Sequence, residues 1–143
     1  MKKLLILTTI CLVYWGGGLF AQQGNSQYTP KYLREDNQAF KNLTTRATEN
    51  GWIAFKKEAK LNPNTFFKDY AGSLGLGQHY DFKALKEETD NKQIKHQRFQ
   101  LHYKNIPVEG AEFSLHSQNN VLNIAHGRII DGLEIDIAKP IRP

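Results

Sequence analysis

The sequence has almost no cysteine, and it lacks the motifs of the common hydrolases. The single cysteine among 143 residues is Cys11, which lies in the apolar amino-terminal segment. No HExxH motif is present to hold zinc, and no GxSxG elbow is present to carry a nucleophilic serine. A domain that follows the leader therefore has no disulfide and no reactive thiol, so packing must stabilise it. These absences argue against an enzyme.

The first 21 residues have the pattern of a cleavable signal peptide. The pair Lys2–Lys3 precedes an apolar run of 17 residues, Leu4–Phe20. A small residue, Ala21, follows, which predicts cleavage after Ala21 and a secreted, extracellular protein. The alternatives are an uncleaved membrane anchor, which three consecutive glycines disfavour, and a lipid anchor on Cys11, which the bulky Ile10 disfavours.

The charge of the remaining chain is nearly balanced. Without the two leader lysines, 17 basic residues face 14 acidic ones, a net charge of +3. No basic run is interleaved with stacking aromatic residues. The sequence therefore predicts no nucleic-acid partner, and no membrane partner once the signal peptide is removed.

The segment after the leader divides into two parts. Residues 22–38 are polar without periodicity, which predicts a flexible segment. Residues 39–61 predict a β-hairpin and a charged connection, with Ala39–Thr48 paired with Trp52–Lys56. The Asn50–Gly51 step between them suits a type I′ turn. A helix is the alternative here, because apolar residues of the first strand also recur at helical spacing.

The clearest helix signal follows at residues 62–74. Asn62 can cap the helix, Pro63 suits its first position and Gly75 can end it in the left-handed conformation. The apolar stripe of this helix consists of Phe66, Tyr70 and Leu74, and a sheet is expected to cover this stripe.

From residue 82 onward the pattern is that of strands. Short turn sequences at 90–91, 104–105 and 119–120 separate four segments with strand character. The sequence predicts an α+β fold with one helix packed on a four-stranded antiparallel meander, and a linker tail over 133–143. The predicted strands are Phe82–Glu88, Gln93–Tyr103, Ala111–Ser117 and Val121–Ile129.

The side chains of the central hairpin alternate between two faces. Because successive residues of a strand point to opposite sides, one set should face the helix and the other should face outward. The inward set is Phe99, Phe113 and Leu115, and the outward set is Arg98, Gln100 and His102.

Three histidines of this hairpin, His96, His102 and His116, could share a face and bind a metal ion. No carboxylate or cysteine completes the set, and histidine is also common on exposed strands. The sequence therefore favours exposed strand histidines over a metal site.

Residues 98–110 read RFQLHYKNIPVEG. An arginine–aromatic–glutamine triplet, Arg98–Gln100, precedes an aromatic–basic turn and a proline–valine–x–glycine step, Pro107–Gly110. This order resembles the fungalysin/thermolysin propeptide (FTP) family of thermolysin-type (M4) zinc metalloprotease precursors, and the order of elements agrees over Asn62–Gly132. Two positions depart from the family: Leu101 stands where a second glutamine is common, and Asn105 replaces a turn glycine.

The resemblance implies a pro-region that helps a thermolysin-like catalytic domain fold and keeps it inactive, in cis or in trans. It implies no cofactor in this chain, since zinc and calcium belong to the catalytic domain. The family's precursors continue into a second pro-domain (PepSY) and the catalytic domain, so the chain would be an amino-terminal piece of such a precursor.

The resemblance and the polar face together suggest which residues contact the partner. For some of them a structural role is the alternative: Arg98 could pair with Glu109 or Glu112, Tyr103 could lie in the core, and Pro107 could shape the returning strand. The predicted contact residues are Arg98, Gln100, His102, Tyr103, Lys104, Pro107 and Val108, and the predicted structural positions are Asn105, Gly110 and Gly127.

A free-standing inhibitor of cystatin type is the rival function. That family inserts a Gln-x-Val-x-Gly loop into cysteine proteases. Ile106–Gly110 supplies only the valine and the glycine. The missing glutamine and the added proline disfavour this alternative.

Overall fold

A computed structural model describes residues 29–135. The predicted signal peptide and its cleavage point after Ala21 lie outside these residues, as does most of the predicted linker tail. Within the described part, no helix is long and apolar enough to cross a membrane.

The sheet has six antiparallel strands rather than the predicted four, in the order β1-β2-β6-β5-β4-β3. The predicted meander forms its larger part, and the amino-terminal hairpin adds two strands because β2 pairs with β6. The strands are β1 Thr44–Ala47, β2 Ile53–Phe55, β3 Tyr80–Thr89, β4 Ile94–Tyr103, β5 Ile106–Gln118 and β6 Val121–Gly127.

The predicted amino-terminal hairpin is present but shorter. Its first residues belong to a short helix, α1 Gln38–Lys41, which places Phe40 in the core against the ring of Phe55 at 6.2 Å. The predicted type I′ turn is wrong, since Gly51 alone of the Asn-Gly pair has a positive φ (90°). The amide of Gly51 donates to the carbonyl of Thr48, as in a three-residue loop ending in a left-handed residue.

The predicted helix is also shorter than expected. The side-chain oxygen of Asn62 accepts a hydrogen bond from the amide of Asn64 in a turn, and the α-helix, α2, spans only Phe66–Tyr70. Gly75 has the predicted left-handed conformation, with a φ of 94°, but it ends the turn that follows α2, where the amide of Leu76 donates to the carbonyl of Ala71. The competing turn bonds of Asn62 explain the late start.

Short helices also precede and follow the first hairpin. Lys31–Leu33 and Lys57–Ala59 are 3₁₀ turns. The first lies within the segment predicted to be flexible, yet Tyr32 is only 3% exposed, and its hydroxyl donates to the carbonyl of Thr48. This end of the segment packs on the core.

An aromatic core joins α2 to one face of the sheet. The ring of Phe67 stacks on Phe82 at 3.8 Å and meets the edge of Phe99 at 4.9 Å. Phe113 and Leu115 are fully buried. The predicted inward set is therefore confirmed, and Arg98 is exposed on the opposite face.

Candidate functional site: the β4–β5 hairpin

The hairpin begins with a tight turn and then changes register. Lys104 and Asn105 have φ of 49° and 65°, the left-handed pair of a type I′ turn, so the predicted turn is confirmed. His102 then pairs with Pro107, whereas Gln100 pairs with Glu112. Between these two pairs, β4 advances by two residues and β5 advances by five. Residues 108–111 therefore lie opposite Leu101 alone, and this bulge contains three residues more than a regular ladder.

The side chain of Gln100 closes this bulge. Its amide nitrogen lies 2.7 Å from the carbonyl oxygen of Val108 and 3.2 Å from that of Ala111. Gly110, within the bulge, has a φ of 71°, a conformation that glycine adopts without strain. The predicted structural role of Gly110 therefore fits the observed backbone. Gln100, predicted to face a partner, instead directs its donors to its own hairpin.

The bulge decides which side chains share a face. Since three is an odd number, inserting three residues moves every later residue of β5 to the other side of the sheet. With the bulge, Phe113 lies opposite Phe99 and His116 lies opposite His96. If the strand register set by the turn continued without the bulge, Phe113 would lie opposite His96, on the outer face.

Arg98 remains exposed beside the bulge. Its guanidinium lies 3.8 Å from the carboxylate of Glu112, and both side chains are about half exposed. Of the two pairings considered from sequence, the structure contains the one with Glu112. Exposed pairs of this kind contribute about 0.2–1 kcal/mol, so Arg98 is free to exchange Glu112 for another acceptor.

The remaining predicted contact residues differ in exposure. Tyr103 is 6% exposed and packs on Tyr80 at 4.9 Å, so it belongs to the core. The ammonium of Lys104 donates to the carbonyl of Ile135. His102 is half-buried, with Nδ1 3.1 Å from the carbonyl oxygen of Gln100. Pro107 is exposed.

Two hydrophobic positions complete the hairpin. Val108 packs partly against the core. Ile106, which sequence reasoning did not select, is 47% exposed at the tip. Leu101, one of the two positions that depart from the resemblance, is fully buried.

The predicted histidine cluster has a different membership. Nδ1 of His96 lies 2.6 Å from Nδ1 of His116, whose ring stacks on His126 at 4.9 Å. Trp52 also stacks on His126, at 4.3 Å. His102 pairs near the turn instead. Among residues 29–135, no group of three potential ligands is arranged to hold a metal ion.

Burial favours the neutral form of two of these imidazoles, His116 and His126. The pKa of His116 falls to about 4, mainly because burial disfavours the charged form and also because His126 and His96 are near. Burial also lowers the pKa of His126. The amide of Ile94 donates to the carboxylate of Asp90 and lowers its pKa.

His126 could not be assigned to this face from the sequence, because a second bulge places it there. Ser117 pairs with Leu122, but His116 pairs with Ile124, so β6 contains one extra residue. That residue, Asn123, reverses the alternation and moves His126 from the core side to the outer side. A side chain's face cannot be read from spacing across such a bulge.

The hairpin and its neighbours coincide with a known family motif. No curated protein matches the chain. Residues 80–129, which comprise β3 to β6 and both bulges, match the family model of the Fungalysin/Thermolysin Propeptide Motif. The resemblance stated from Arg98–Gly110 is therefore confirmed, and the chain carries the motif of the fungalysin/thermolysin propeptide family.

Proposed function

We propose that this chain acts as an exported, non-catalytic pro-region that helps a thermolysin-like zinc metalloprotease domain fold and holds it inactive, in cis or in trans. The observation that carries the proposal is the propeptide motif over residues 80–129, which contains the bulged β4–β5 hairpin. The chain needs no cofactor for this role, since zinc and calcium belong to the catalytic domain.

The hairpin tip is suited to contact a partner. Ile106 and Pro107 are exposed, yet the type I′ turn and the bulge closed by Gln100 hold their backbone on both sides. A surface that is rigid before binding loses less conformational entropy on association. Arg98 adds a cation that can form charge-assisted hydrogen bonds with a partner's carboxylate or carbonyl groups.

The test is to refold the purified chain, add it to a thermolysin-like protease and to papain, and measure peptide hydrolysis. We expect dose-dependent inhibition of the metalloprotease, a higher refolding yield of its catalytic domain, and no effect on papain. Inhibition of papain alone would favour the cystatin-type alternative. Failure to affect folding or activity of several thermolysin-like enzymes would contradict the proposal.

A matched pair of substitutions locates the contact. Ile106→Ser should weaken inhibition about tenfold or more, because an exposed anchor at the tip is lost. Leu85→Ser is the control, since Leu85 is an equally exposed aliphatic residue (53%) on the edge strand β3. Equal losses in the two variants would show that the tip is not the contact.

A further inference from the structure

Five side chains form a continuous row across the outer face of the sheet: Asp90, His96, His116, His126 and Trp52. Each contacts the next, beginning with a separation of 3.2 Å between the Asp90 carboxylate and Nε2 of His96, and ending with Trp52 stacked on His126. The row joins the β3–β4 turn to β4, β5, β6 and the residue before β2. The helix α2 lies against the other face.

The hydrogen bonds assign the protons within the row. Because the Asp90 carboxylate only accepts, Nε2 of His96 carries a proton, and Nδ1 of a neutral His96 is then an acceptor. The 2.6 Å separation to Nδ1 of His116 requires that this second nitrogen donates. Neutral His116 is therefore the Nδ1–H tautomer.

We propose that His96 and His116, supported by the stacked His126, form an acid-sensitive latch across β4, β5 and β6, which is closed while one of the two facing Nδ1 atoms carries a proton and opens when both do. The proposal concerns a property of the sheet and does not rest on the proposed function. A single proton between the two nitrogens makes one N–H···N bond. Two protons leave two donors facing each other at 2.6 Å, and the rings must separate.

A single added proton can be accommodated. A charge on His96 would be compensated, because the carboxylate of Asp90 accepts from Nε2 and Glu88 lies opposite on β3. The Nδ1–H of His96 then donates to His116, whose remaining proton moves to Nε2. The second proton has to charge His116 between two other imidazoles, which agrees with its lowered pKa of about 4.

The other charged groups around the row are largely engaged with each other. Lys86 pairs with Glu88, and Arg98 lies near Glu112. Arg46 lines the pocket beside Trp52. A carboxylate contacts His96, but the described contacts of His116 are with imidazoles. His116 is therefore the position at which added charge is least compensated.

The test is ¹⁵N NMR of the imidazoles in the full chain between pH 8 and 3. We expect the Nδ1–H tautomer for His116 at neutral pH, and titration of His116 at least one unit below the ordinary value of about 6.5. In a Trp15→Phe background, Trp52 is the remaining tryptophan, and its fluorescence should change over the same pH range.

A substitution separates the latch from simple burial. His96→Asn should shift the titration of His116 upward by about one unit, because the neighbouring charge is removed. His79→Asn is the control, since His79 packs on Tyr103 at the opposite end of β4, and it should leave His116 unchanged. Titration of His116 near 6.5, or an unchanged value in a folded His96→Asn chain, would overturn the proposal. If that variant does not fold, the tautomer and titration of the original chain decide.

Discussion

The side-chain amide of Gln100 donates a 2.7 Å hydrogen bond to the carbonyl oxygen of Val108 across the β4–β5 hairpin. This contact closes a bulge of three residues in β5. The bulge in turn aligns Phe113 with Phe99 on the core face, and His116 with His96 on the outer face. One glutamine therefore supports the register of both faces.

Gln100→Glu should destabilise the fold by about 2–3 kcal/mol. The substitution keeps the shape of the side chain but replaces its donor with an acceptor facing backbone carbonyl groups, which leaves them unsatisfied. Urea unfolding, followed by circular dichroism, measures the loss. Gln118→Glu is the matched control, because the amide of Gln118 makes an exposed bond to the carbonyl of Lys92, and its effect should stay within about 0.5 kcal/mol. Equal effects would contradict the role of Gln100.

Phe66→Ala should cost about 3–5 kcal/mol of unfolding free energy. Phe66 is fully buried and contacts the rings of Phe55 and Phe67 at 5.4 Å, so its removal leaves a cavity between α2 and the sheet. Thermal unfolding reports the loss as a lower melting temperature. Leu85→Ala, at an exposed position, should change stability by no more than about 0.5 kcal/mol. A small effect at Phe66 would show that α2 is not tightly packed.

Gly51→Ala should prevent the first hairpin from docking on the end of β6. A Cβ atom at Gly51 would lie 1.9 Å from the carbonyl oxygen of Gly127, and the φ of Gly51 is 90°. Backbone atoms must therefore move, so we expect amide exchange in β1 and β2 to accelerate. Gly77→Ala is the control, because nothing lies within 4 Å of its added Cβ. Unchanged exchange in Gly51→Ala would contradict the close approach.

Stability should decline as the pH falls below neutrality. The folded pKa of His116, about 4, lies below the ordinary value of about 6.5, so the unfolded chain takes up the proton first. The contribution of neutral His116 is fully present above about pH 6.5 and is lost progressively as the pH falls toward about 4. Urea midpoints at pH 7.5, 5.5 and 4 should fall in that order.

The carboxylates should cause a second loss of stability at lower pH. The amide of Ile94 lowers the pKa of Asp90, and hydrogen bonds from Lys95 and Lys86 lower those of Glu87 and Glu88. Their contribution is present above the unfolded pKa and disappears as the pH falls further. In His116→Gln, the urea midpoint should change little between pH 6.5 and 4, but it should still fall at lower pH. A midpoint that does not change above pH 4 would contradict the assignment to His116.

Local patterns predicted much of the hairpin and little of its surroundings. The turns at Lys104–Asn105 and Asn119–Asn120 could be identified because asparagine tolerates the left-handed region that both turns use. The helix was overextended because Asn62 can form a turn as well as a cap. The partners of the first hairpin could not be identified, since pairing of β2 with β6 joins residues far apart in sequence.

The sequence by itself determined the strand pattern, the alternation of side chains within each strand and the propeptide motif, because each depends on neighbouring residues. Only the tertiary structure decided the six-stranded sheet, the inward-directed amide of Gln100 and the row that joins His116 to His126. These depend on two bulges and on contacts between distant strands. A bulge with an odd number of extra residues reverses the alternation of side chains, so the face of every later residue is fixed only once the strands have paired.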